Sequence, residues 1–234
     1  MKIPTVIFLL AACLAFFAHA QEESKKLGVT FTCLLLEELP VEQIFYKEGK
    51  SYLPLEFKKG KRSEAYSLRS NKVFELYVSE VNEDGDSFFK PVGSSALVAG
   101  SRKILFIIAP GNSESGLPLR IIGLDDSLEG FPPGSFRFVN FTDTELLVKV
   151  RDKVTRLESG EITVADSESS EDGGLVPVTF GNSKGETLHF TRLYSHSRSR
   201  EMVFIGKSKD PKRKFQFMFV PQNVPDREPA PWAQ

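Results

Sequence analysis

Between residues 29 and 35 the side chains alternate: Val29, Phe31, Cys33 and Leu35 fall on one face of an extended chain, with Thr30 and Thr32 on the other. Successive side chains of a strand point to opposite faces, so this alternation predicts a half-buried β-strand. Similar signals predict strands at 43–47, 52–57, 64–68, 73–81, 87–92, 102–109 and 119–124. They resume at 135–141, 145–150, 154–157, 161–165, 176–180, 187–194, 202–205 and 215–220. Turn residues punctuate them: Glu48-Gly49, Lys59-Gly60, Ser70-Asn71, Asp84-Gly85 and Pro133-Gly134. No useful window holds apolar residues at i, i+3, i+4 and i+7, so any helix is expected to be short. Twenty Phe against one Trp and five Tyr, with frequent Val, Ile and Thr, also favour strands.

A break falls at Asp125-Asp126-Ser127-Leu128-Glu129-Gly130-Phe131-Pro132-Pro133-Gly134. It predicts one domain over 21–126, a linker at 127–134 and a second domain over 135–223. The end, 224–234, is a Pro-rich tail. The two strand series match at several points: Phe31 with Phe136, Lys59-Gly60 with Ser159-Gly160, and 74–78 with 176–180. The closest match sets 102–112 against 213–223. Halves of about 100 residues with some seven short strands have the size of an immunoglobulin-like sandwich. The expected fold is therefore all-β, two tandem immunoglobulin-like β-sandwiches related by internal duplication.

Leu124-Asp125-Asp126-Ser127, followed by Phe131-Pro132-Pro133-Gly134-Ser135-Phe136-Arg137-Phe138-Val139-Asn140, resembles a family of uncharacterised exported bacterial proteins. From Ser135 onward, through Leu157-Glu158-Ser159-Gly160-Glu161, the pattern is also similar to bacterial extracellular immunoglobulin-like modules. The resemblance implies a fold and an address. Its motifs are strand and turn residues, so it implies no chemistry.

The N-terminus carries the address. Lys2 precedes a run from Ile3 to Phe17 that is apolar except for Thr5, the build of a secretory leader. Ala18 and Ala20 supply the small residues at minus three and minus one, so cleavage would leave Gln21 first. A second reading takes Leu10-Ala11-Ala12-Cys13 as a lipobox, with Cys13 acylated. Both imply export to the periplasm or beyond, and the run is too short for a membrane span of about 20 residues. Cleavage after Ala20 leaves 214 residues and a single cysteine, Cys33, so no intramolecular disulfide is expected. Cys33 reads as a buried core thiol.

Candidate chemistry is sparse. The net charge is −1, which gives no reason to expect a nucleic-acid partner. His189 alternates with Thr187 and Thr191 and reads as a surface histidine, and His196 sits in a Ser/Arg turn. Asn82-Glu83-Asp84-Gly85-Asp86 reads as a hairpin turn and not as a calcium loop, which needs twelve residues and a closing Glu. Asn140-Phe141-Thr142 fits a glycosylation sequon but reads as a strand end. Nucleophile elbows, metal motifs and phosphate loops are absent, so no catalytic residue, metal or cofactor is assigned. The expectation is a non-catalytic binding or structural module. Two alternatives stay open: a secreted hydrolase using carboxylates at the domain junction, and a lipid-anchored envelope accessory protein.

One departure from a mixed surface remains. Residues 157–172 hold Glu158, Glu161, Asp166, Glu168, Glu171 and Asp172 with no basic residue. Arg192, Arg198, Arg200, Lys207, Lys209, Lys212, Arg213 and Lys214 cluster further on. Of these, Arg198 to Lys214 are the candidate electrostatic edge. It would suit an envelope protein, an anionic polysaccharide or the acidic segment of a second copy; the opposing reading is solvated loops.

Overall fold

The computed structural model describes residues 28–39, 43–69, 72–111, 116–169 and 171–224. The expected leader, with Cys13, Ala18, Ala20 and Gln21, and the expected tail beyond residue 224 lie outside them. All regular structure among the described residues is strand. The chain divides between Asp126 and Ser127 into two units.

The first unit contains β1 (Val29–Leu35), β2 (Ile44–Glu48), β3 (Ser51–Leu55), β4 (Tyr66–Leu68), β5 (Val73–Val81), β6 (Ser87–Ala96), β7 (Lys103–Pro110) and β8 (Leu119–Asp125). The second contains β9 (Ser135–Asn140), β10 (Leu146–Val150), β11 (Lys153–Leu157), β12 (Ile162–Asp166), β13 (Gly174–Gly181), β14 (Thr187–Ser195), β15 (Ser199–Lys207) and β16 (Phe215–Asn223). Each of the sixteen overlaps a strand expected from the alternation of side chains.

In the first unit the sheets are ordered β4-β1-β7-β8 and β3-β2-β5-β6. In the second they are β12-β9-β15-β16 and β11-β10-β13-β14, the same order shifted by eight strands. The first strand of each unit pairs in parallel with the seventh, Phe31 beside Ile104 and Phe136 beside Glu201. This differs from the immunoglobulin constant order, which sets the first strand beside the second and pairs the third with the sixth. Three of the four internal sequence matches join corresponding strands or turns. The fourth, 102–112 with 213–223, sets β7 against β16, whereas the counterpart of β7 is β15.

One apolar cluster fills the space between the two sheets of each unit. In the first, Phe31 from β1 lies 4.9 Å from Phe74 of the opposite sheet and 5.7 Å from Phe106. Phe74 and Phe106 stack at 3.9 Å, so rings from both sheets interlock. Each buries a large apolar area and fixes its neighbour's orientation. Phe138 and Phe180 make the corresponding bridge in the second unit at 5.8 Å. Cys33 is fully buried within the first cluster, and desolvation pushes its thiol far above the ordinary range. In a chain carrying Cys13→Ser, a thiol reagent should leave native Cys33 unmodified and label it on unfolding in urea. Rapid labelling of the native protein would contradict this core.

β15 carries a carboxylate at the margin of the second core. Val203 and Ile205 point inward, and Glu201 shares their face beside Phe136 and Pro221. Burial lifts its carboxyl to about 7. The folded state therefore keeps a proton that the unfolded state releases near the ordinary value of 4.5. The resulting stabilisation is present at low pH and is lost as pH rises from about 4.5 to about 7. Glu201→Gln should gain on the parent between pH 4 and pH 8 by about 1 kcal/mol, allowing for screening at a partly exposed site. Urea unfolding at the two pH values measures it; an unchanged difference would contradict the partly buried placement of Glu201.

Candidate ligand groove

The shared strand order leaves β6 and β8 as edges on the same side of the first sandwich, and β14 and β16 as their counterparts in the second. In the first unit that side is closed. Gly93 of β6 lets the strands approach: a Cβ there would come within 2.8 Å of Ile121 and 3.1 Å of Leu119 on β8. In the second unit the side is open, and a groove of about 780 Å³ lies along it. That volume is within the range of small-ligand sites.

The floor is aromatic. Phe215, Phe217 and Phe219 alternate along β16, and Leu188 and His189 come from β14. The His189 ring stacks on Phe217 with centroids 4.3 Å apart, and Phe217 packs on Phe180 at 4.8 Å. The surface reading of His189 is thus corrected. Its face also carries Leu193, which enters the core, while Phe190 and Tyr194 occupy the solvent face. Desolvation lowers the His189 pKa and favours the neutral ring.

The rim is a compact turn between β15 and β16. Asp210 accepts from the Lys212 amide at Oδ1 (2.9 Å) and from the Arg213 amide at its carbonyl (3.0 Å). Its own amide donates to Ser208 Oγ at 3.1 Å. Such side-chain bonds stabilise turns in place of a ladder. Lys209, Lys212, Arg213 and Lys214 are thereby gathered around the groove, against the single carboxylate of Asp210. The Arg213–Asp210 pair is long, 3.9 Å, and Lys214 Nζ lies 5.3 Å above the Phe215 ring. Four of the seven cations expected to form an edge therefore meet at one place.

The other three do not. Lys207 pairs with Asp143 at 2.8 Å, holding that carboxyl below its ordinary range. Arg198 lies at the opposite end of β15. Arg200 is buried, and its removal from the surface corrects the edge. Its guanidinium sits 4.6 Å from the centroid of Phe131, which also packs 4.2 Å from the Arg137 guanidinium. Arg200 donates to Gln222 Oε1 at 2.8 Å and to the Phe131 carbonyl, and Arg137 donates to the Gly130 carbonyl at 3.0 Å. Two cations flank one fully buried ring, so the segment expected to be a linker is pinned to β9 and β15. Phe131→Ala should cost about 3–5 kcal/mol, measured by chemical denaturation, as a large buried ring is lost. A cost under about 1 kcal/mol would contradict that pinning.

The acidic run is partly neutralised where it folds: Glu168 pairs with Lys153 at 2.8 Å, and Arg156 lies 3.8 Å from Glu158. The Asn82–Asp86 segment is a hairpin turn, with Asn82 Oδ1 accepting from the Asp86 amide at 2.7 Å and Gly85 at φ 88°. Among the described residues, no group of three or more His, Cys, Asp or Glu is placed to hold a metal ion. Asn140 is buried, and its side-chain amide donates to the carbonyls of Thr144 (2.8 Å) and Glu158 (2.9 Å). The sequon nitrogen is thus committed to closing a turn. No protein-family model matches the chain, and no curated protein matches it.

Proposed function

We propose that the chain is an exported, non-catalytic binding module of two tandem, internally duplicated β-sandwiches, immunoglobulin-like in size and layering. The groove of the second unit is its ligand site, and the ligand is an amphiphilic anion. The leader sequence supports export. The strand order common to both units, together with three matching sequence segments, supports duplication.

The observation that carries the ligand class is an aromatic floor beneath a cationic rim. An apolar body gains by covering Phe217, Phe219 and His189, because the edge strands leave these rings incompletely packed. A carboxylate or phosphate at its end is attracted by Lys209, Lys212, Arg213 and Lys214, which outnumber Asp210, the one carboxylate among the lining residues. The lowered pKa of His189 keeps the floor neutral near pH 7, so pH has little effect on the apolar contact there.

Calorimetry with decanoate and with decanol as the uncharged control tests this reading. Decanoate should bind more tightly, with an affinity that falls as salt rises. The variant Lys212→Glu/Arg213→Glu/Lys214→Glu should weaken decanoate binding at least about tenfold, equivalent to 1.4 kcal/mol. Decanol binding should be retained. Equal affinity of the parent and the folded variant for decanoate would overturn the assignment.

A further inference from the structure

β14 has a second face, and it points away from the groove. Leu193 enters the core, so Phe190, Arg192 and Tyr194 project from the outer surface of β11-β10-β13-β14. Phe190 is 54% exposed and Tyr194 is 53% exposed, unusual values for aromatic rings on a sheet. They are four positions apart, about 13 Å at the rise of an extended strand, with the Arg192 side chain between. On the adjacent strand, Leu175 lies opposite Tyr194, Pro177 opposite Arg192 and Thr179 opposite Phe190. Lys149 of β10 is next in that last row.

The charge on this sheet is one-sided. Its four strands contain Lys149, Lys153, Arg156 and Arg192 and not one Asp or Glu. Lys153 and Arg156 are engaged by carboxylates from flanking loops, which leaves Lys149 and Arg192 as the positive centre of the face. The corresponding sheet of the first unit is different. It contains Glu48, Glu75 and Glu80, and its outer rings cover one another, with Tyr52 stacked on Phe89 at 4.0 Å.

We propose that the outer face of β11-β10-β13-β14 is a docking surface for an acidic polysaccharide. This goes beyond the groove reading and does not depend on it. Pyranose rings present flat C–H faces that stack on aromatic side chains, and the Phe190 and Tyr194 rings offer two such platforms along one line. The interval between them exceeds one sugar ring, so the occupant is an oligomer. Arg192 stands where a uronate carboxylate would fall, and a guanidinium pairs with a carboxylate through two parallel hydrogen bonds. Lys149 adds a second, non-directional positive charge. A neutral glucan would use the rings alone and leave both cations without a partner.

Affinity electrophoresis through gels containing polygalacturonate, with dextran as the neutral control, tests the proposal on the folded two-unit protein. The parent should be retarded by polygalacturonate and not by dextran, and monomeric galacturonate should fail to compete. Tyr194→Ala and Phe190→Ala should each weaken retardation about tenfold, and Arg192→Gln by a similar factor. All three positions are on the surface, so circular dichroism should show the parent fold. Failure of polygalacturonate to retard the parent would overturn the proposal. So would retention unaffected by these variants but abolished by Lys212→Glu/Arg213→Glu/Lys214→Glu, a result that leaves the groove reading standing. Sedimentation showing dimers that Tyr194→Ala dissociates, or binding to phosphatidylglycerol vesicles in place of polygalacturonate, would assign the face to another occupant and equally overturn it.

Discussion

The parallel pairing of a first strand with a seventh organises each half of this molecule. Phe31 meets Ile104, and Phe136 meets Glu201, across long stretches of chain. That contact places β1 and β9 inside a sheet and so consigns β8 and β16 to an edge. In the opposing sheet the last strand, β6 or β14, is also an edge. Each sandwich therefore has a side on which two edge strands face each other, and what those strands carry decides whether the side closes. Loop-closure entropy opposes such distant pairing, and the interlocked phenylalanines across the sheets supply apolar burial to offset it.

One architecture has been used in two ways. Gly93, Leu119 and Ile121 bring β6 and β8 together in the first unit, which is then sealed by its own aliphatic residues. Aromatic residues replace them in the second: His189 on β14 meets Phe217 on β16, and the basic turn 208–214 borders the opening. β14 consequently serves two surfaces. Its inward residues reach the groove, and its outward Phe190, Arg192 and Tyr194 occupy a sheet without acidic residues.

Much of the fold was legible because alternation is a local property. Val29, Phe31, Cys33 and Leu35 declare a strand without reference to any other segment. Partner choice is not local. Nothing in 102–109 or 215–220 says that the first is a central strand and the second an edge, and the Arg-to-Pro outline shared by 102–110 and 213–221 matched β7 with β16 instead of β15. His189 shows a related limit. Its neighbours Thr187 and Thr191 mark a polar face, but the exposed rings of Phe190 and Tyr194 reverse which side is solvent. The cation cluster was visible in composition. Arg200 was separated from it only by the position of Phe131, which lies 69 residues earlier.

The measurement that bears most directly on this account is the set of backbone proton contacts between β9, β15, β14 and β16, obtained by nuclear magnetic resonance on the second unit within the full chain. The account predicts parallel-strand contacts linking Phe138 to Val203 and Val139 to Phe204, ring contacts between His189 and Phe217, and no ladder between β14 and β16. Antiparallel contacts between β9 and β10, as in the immunoglobulin order, or a β14–β16 ladder closing the groove, would contradict it.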